Sequence, residues 1–211
     1  MAIAFDNSTA SLEFGAGSTS GTLSYTCSGT NRYLIVVICQ SGISVSGITY
    51  NGVAMTQLLT SGGTRTSMWG LANPSTGANN IIASVSSGGV PWGFLASSYT
   101  GCSITQPDSS NNIDATYPNT VTTNVVASNC WLVCGALSIT TGTLTSNRTD
   151  RQTFINSSIR RYSLADSNGT VGTGNQSIIW TCSSGANIEP CLISLAPFSA
   201  PSNTSNFFNF F

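Results

Sequence analysis

The sequence contains no histidine and no lysine, and only 6% of its 211 residues are charged. An average soluble domain carries about 25% charged residues. The missing histidine removes Ser-His-Asp and Cys-His catalysis, histidine general bases and histidine metal ligands together. The missing lysine removes Schiff-base chemistry. All six cations are arginine and the net charge is −1. No basic stripe forms, so the counterion-release term behind nucleic-acid binding is lacking and no nucleic-acid partner is expected. The Arg160-Arg161 doublet reads as a solvated strand end rather than a phosphate site. No stretch approaches the ~18 apolar residues of a membrane span, and no membrane partner is expected. The opening MAIAFDNSTASLEF has neither a basic nor an apolar leader region, so the reading is synthesis in a cytoplasm without secretory export.

Carboxylates are equally sparse: Asp6, Glu13, Asp108, Asp114, Asp150, Asp166 and Glu189. A glycosidase needs two of them facing each other across a bond, and none sits in a recognisable motif. No catalytic residue, no metal site and no cofactor is expected, and the chain reads as a non-enzyme. A calcium site from Asp108 and Asp114 with loop carbonyls is weighed against two solvated loop carboxylates, and the latter is preferred. The seven cysteines are an odd number, and none forms a C-x-x-C pair. Cys39, Cys130 and Cys134 lie in apolar runs, where buried reduced thiols are the expectation. Cys182 and Cys191 flank a hairpin and are the best candidates for a disulfide.

What the chain does have is 40% hydrophobic residues and an abundance of Ser, Thr, Asn and Gly. Disorder goes with low hydrophobicity and high net charge, so the composition points to a neutral, hydroxyl-rich β surface over a real core. Short β-prone runs recur between Gly/Ser/Asn turns, the all-β pattern. Strands are predicted near 2–5, 20–27, 33–40, 46–50, 53–59, 64–72, 79–86 and 92–100. Further strands are predicted near 121–126, 130–138, 148–155, 159–165, 177–181 and 189–196. Asn51-Gly52 between GITY and VAMT signals a two-residue hairpin turn. Leu34–Ile38 and Trp131–Cys134 are apolar at every position, as in central strands. Trp69, Trp92, Trp131 and Trp180 lie in strand-like runs and read as core rather than sugar-stacking platforms. The spacing shows no domain break, so residues 1–198 are expected to form a single antiparallel β-sandwich of two sheets, jelly-roll or Ig-like/lectin-like, with almost no helix.

Two segments stand apart. Residues 103–119 form the one long irregular stretch, read as a crossover between sheets. Its alternative is a candidate ligand loop carrying Asp108, Asp114 and Tyr117. Residues 199–211 read as a polar linker ending in Phe207, Phe208, Phe210 and Phe211, a candidate docking tail for a partner subunit.

Asn31–Val36, Gly47–Thr56, Asn73–Gly77, Ser98–Gly101 and the tail after Ala196-Pro197-Phe198, taken in that order, resemble a diverse group of β-sandwich proteins. The group occurs among tailed-phage virion components and some bacterial surface proteins. The likeness spans nearly the whole chain. Its motifs are turn and core signatures, specific for fold and weak for function. It implies a structural virion protein, a head decoration or tail component, assembled in the host cytoplasm, oligomeric and bound to other virion or lattice subunits. It brings no catalytic set. The alternatives are a carbohydrate-binding or adhesin module at an extracellular surface, with a glycan as partner, and a self-assembling extracellular filament subunit.

Overall fold

A computed structural model describes residues 1–39, 43–61, 65–86, 90–113, 119–140, 142–157 and 160–199. The described chain is all β. Its first strands are β1 (Ala4–Ala10), β2 (Ser20–Cys27), β3 (Tyr33–Cys39), β4 (Val45–Tyr50), β5 (Val53–Ala54), β6 (Thr56–Thr60), β7 (Thr66–Ala72), β8 (Gly77–Val85) and β9 (Gly93–Thr100). There follow β10 (Ser109–Asn112), β11 (Asn119–Val125), β12 (Trp131–Ser138), β13 (Leu144–Ser146), β14 (Thr149–Ile155), β15 (Arg161–Asp166), β16 (Gly174–Cys182) and β17 (Ile188–Leu195).

These strands form four sheets, where the spacing had suggested two: β1-β9-β3-β7-β6, β2-β8-β4-β5, β10-β17-β12-β15-β14 and β11-β16-β13. Apart from the hairpins β4–β5, β6–β7 and β14–β15, successive strands within each half pass between facing sheets, which is jelly-roll winding. The Asn51-Gly52 turn joins β4 to β5 with both residues at positive φ, 49° and 77°, as a type I′ turn requires. At Met55 the chain then leaves β5 and crosses to the other sheet as β6.

The second set of sheets repeats the first. Replacing β1, β9, β3, β7, β6 by β10, β17, β12, β15, β14 reproduces the same order, and β2-β8-β4 becomes β11-β16-β13. Ladder registers align the two sets residue by residue: Tyr33 corresponds to Trp131, Ser98 to Ser194, and Asp6 to Asp108. Positive-φ residues recur at matching turns, Asn31 (50°) with Asn129 (61°) and Gly77 (81°) with Gly174 (90°).

The four sheets stack as layers with three apolar interiors. One lies between β2-β8-β4-β5 and the first five-stranded sheet, around Tyr25, Leu34, Val36, Ile48, Ile81 and Trp92. A second lies between the two five-stranded sheets, around Ile35, Val37, Met68, Val133, Leu164 and Ile193. The third, around Val121, Leu132, Ile178 and Trp180, lies between the second five-stranded sheet and β11-β16-β13. The central strands of both five-stranded sheets are therefore buried on both faces, and this is why β3 is apolar throughout and β12 nearly so. Leu34, Val36 and Ile38 point to one interior while Ile35, Val37 and Cys39 point to the next. Each such side chain contributes roughly 1.5–3 kcal/mol on burial.

The candidate Cys182–Cys191 disulfide is absent, and all seven cysteines are free and buried, as expected of reduced thiols in apolar runs. The physical reason is alternation along the strands: Cys182 faces the third interior and Cys191 the second. All four tryptophans are buried, as expected. The segment 103–119, read as irregular, carries β10, which completes an edge of the second five-stranded sheet.

Candidate functional site

Asp108 was a candidate ligand residue, and the structure gives its carboxylate other work. Oδ2 accepts from the Val126 amide at 2.8 Å and from Ser194 Oγ at 3.0 Å, and Oδ1 accepts from the Ala127 amide at 2.9 Å. The side chain pins the turn after β11. Asp6 does the same after β2: it accepts from the Ser28 amide at 2.9 Å, from the Ser28 hydroxyl, and from Ser98 Oγ at 2.6 Å. One clamp thus appears twice, an Asp in or just before the first strand of each half and a Ser on the last. Asp114 and Tyr117 lie outside the described residues, as do Phe207, Phe208, Phe210 and Phe211.

The remaining described carboxylates also make internal bonds. Asp166 is fully buried beside Arg151, with Arg151 Nε 2.7 Å and Tyr99 Oη 3.0 Å from its Oδ2. Arg151 Nη2 and the Asn168 amide donate to its Oδ1, each at 2.9 Å, and the Arg151 guanidinium lies 4.0 Å over the Phe5 ring. Burial first, and then the adjacent Asp166 charge, push the Tyr99 hydroxyl well above its ordinary range. Glu189 accepts from Arg65 Nη1 at 3.0 Å and from Ser61 Oγ at 3.2 Å. Glu13 accepts from the Ser157 hydroxyl at 2.7 Å. Asp150 accepts from Ser146 Oγ at 2.8 Å, and burial raises its carboxyl above the ordinary value. Among the described residues, no group of three or more His, Cys, Asp or Glu comes together as a metal site. Arg65 and Glu189 border a cavity of about 210 Å³ with Leu137, Ile139, Ala186 and Asn187, but the arginine's charge is already met by its partner.

Burial raises six of the seven thiols above their ordinary value, and Cys182 is the exception. Burial pushes Cys102, Cys130 and Cys134 up to about 12. At Cys182 burial pushes upward too, but hydrogen bonds from Ser184 and Ser138 outweigh it and leave the thiol below its ordinary value.

The surfaces most open to a partner are the outward faces of β2-β8-β4-β5 and β11-β16-β13. None of the residues in these strands is charged. On the first face Ser20, Thr22, Ser24, Thr26, Asn80 and Ser84 point outward around Ile82, which sits between Thr22 and Thr49. On the second, Thr120, Asn124, Asn175 and Thr181 point outward with Ile179, which pairs with Thr120. Ile82 and Ile179 hold equivalent places in β8 and β16 and are equally exposed, 39% each. Hydroxyl pairs run across the second face, Thr122 with Ser177 at 2.7 Å and Thr145 with Thr181 at 3.0 Å. A shallow depression of about 370 Å³ beside Ile82 is lined by Asn51, Gly52, Ala78, Asn79 and Asn80. Sequence reasoning did not single out these faces. Their signal was available as charge-free strands alternating outward Ser/Thr/Asn with buried apolar residues.

No protein-family profile, curated protein or solved structure matches this chain.

Proposed function

We propose that the protein is a non-catalytic structural subunit of a larger assembly, a virion component such as a head decoration or tail part. It joins neighbours through its two outward faces and through Phe207, Phe208, Phe210 and Phe211. The observation that carries the reading is the complete absence of charge from two equivalent, solvent-facing sheets. Depletion of charged residues is the compositional mark of interface centres, and a net charge near zero favours association. The internal commitment of the described carboxylates supports a scaffold role.

The alternative of a glycan-binding module has one feature in its favour, the Asn-lined depression beside Ile82. Sedimentation velocity across a concentration series, paired with a neutral-glycan array, separates the two. Assembly that weakens in Ile82→Arg and Ile179→Arg, and is lost in the double variant, is the expected result. A protein that stays monomeric at every concentration and binds a glycan lost on Asn80→Ala would overturn the proposal.

A further inference from the structure

We propose that the chain is a fused dimer. Residues 1–102 and 103–199 are two copies of one sandwich unit, and the face between the two five-stranded sheets is a self-sufficient dimer interface that now lies within one chain. The strand order, identical in the five-stranded sheets and lacking only a counterpart of β5 in the smaller ones, marks the two copies. The contacts between them carry the mark of two-fold pairing, in which residue i meets j and j meets i. Strand β1 touches β14, and its counterpart β10 touches β6; β9 touches β15, and β17 touches β7. The symmetry is approximate, since β7–β12 and β9–β14 are not matched as closely.

On a two-fold axis a residue meets its own equivalent. Strands β3 and β12 are equivalents and touch each other, and Val37 is the counterpart of Gly135 by ladder register. A Cβ added to Gly135 would collide with both γ-methyls of Val37. The axis therefore passes between these two positions. Polar ties join the same two strand pairs at the rim, through residues that are not themselves equivalent: Asn112 Nδ2 of β10 donates to the Thr60 carbonyl of β6 at 2.8 Å, and Gln152 Nε2 of β14 donates to the Ser8 carbonyl of β1 at 3.2 Å. The inner faces share one apolar cluster drawn from both halves, Ile35, Val37 and Met68 against Val133, Leu164 and Ile193, and obligate interfaces are the more hydrophobic class. The connection between the copies is short and lies at the surface, with Ile104 and Thr105 exposed.

The axial pair also shows that the copies have specialised. Two first units would bring valine against valine, and two second units would leave a gap at glycine. Large against small suits only the mixed pair, so the interface discriminates against like-with-like pairing.

The test uses the intact chain. A protease recognition sequence is inserted between Ile104 and Thr105, the folded protein is cleaved, and the product is weighed by native mass spectrometry at micromolar concentration, with the uncut insertion protein as control. The expected result is one particle containing both fragments, which separates only in denaturant. Fragments that part or precipitate under native conditions, while the uncut control stays soluble, would overturn the proposal. The axis is tested separately by substitution. Val37→Ala should lower the melting temperature of the native sequence, yet leave unchanged or raise that of Gly135→Ala. Losses that simply add would show that the two residues do not share the axis.

Discussion

At the scale of single residues, the sparse charges serve the fold. Asp108 illustrates why a sequence reading could name it but not place it. An aspartate in a Ser/Asn-rich stretch looks like a ligand or a solvated carboxylate, and only the ladder of β10 on β17 brings Ser194 and the turn after β11 to its two oxygens. An Asn in its place keeps one acceptor and turns the other into a donor facing an amide. Asp108→Asn is therefore expected to cost about 1–3 kcal/mol, and Asp6→Asn a similar amount because the clamp is the same. Urea melts of both variants measure this. A cost at one position and none at the other would break the equivalence of the two clamps.

At the scale of elements, the all-β class, the positions of most strands and the central place of β3 and β12 were legible, because period-two alternation, unbroken apolar runs and Asn-Gly chemistry are local signals. Strand β2 runs over Ser20–Cys27, the span predicted for it. The strand missed within 103–119 is instructive. The sequence of β10, Ser-Ser-Asn-Asn, has no β-prone residue, and its strand state comes from pairing with β17. Strand β13, Leu-Thr-Ser, was missed because three residues are too few to show an alternation. Stability should follow the same division. Amides of β3, β9, β12 and β17, which are buried on both faces, are expected to exchange with deuterium only on global unfolding. Amides of β5, β10 and β13 should exchange by local opening, orders of magnitude faster. Hydrogen exchange read by mass spectrometry distinguishes this from uniform protection, which would mean that the layers do not differ in stability.

At the scale of the whole molecule, the duplication was the least legible feature. Asn31-Arg32-Tyr33-Leu34 stands against Asn129-Cys130-Trp131-Leu132, and Gly77 with Ile81-Ile82 against Gly174 with Ile178-Ile179. These matches are few, and they recur at roughly a hundred residues, well beyond the 20–50 residues at which repeat arrays announce themselves. The junction near Gly101 opens the 103–119 stretch, which reads in sequence as a crossover within one sandwich. There the link is tied to the second unit by the Ser103 amide on the Ala196 carbonyl at 2.9 Å and the Phe198 amide on the Gly101 carbonyl at 2.7 Å. A break that is hydrogen-bonded in this way leaves no linker-like composition to find.

The docking role proposed for the last residues belongs to this scale as well. Four phenylalanines among the final five residues are a solubility liability in water, and burying each is worth roughly 1.5–3 kcal/mol. Ordering the residues that carry them costs about 1–2 kcal/mol each, so one tail in one site gives a small net gain. A lattice multiplies such gains, because each subunit already held by its faces presents its tail at high effective concentration. Deleting Asn206–Phe211 should therefore leave the melting temperature nearly unchanged while weakening assembly far more than in proportion to one contact. The Ile82→Arg and Ile179→Arg substitutions should add to that loss more than independently. Sedimentation and thermal melts of the truncated protein read both quantities. If the truncated chain instead melts much earlier and still assembles while folded, the aromatic end completes the protein's own core, and the outward faces carry the association alone.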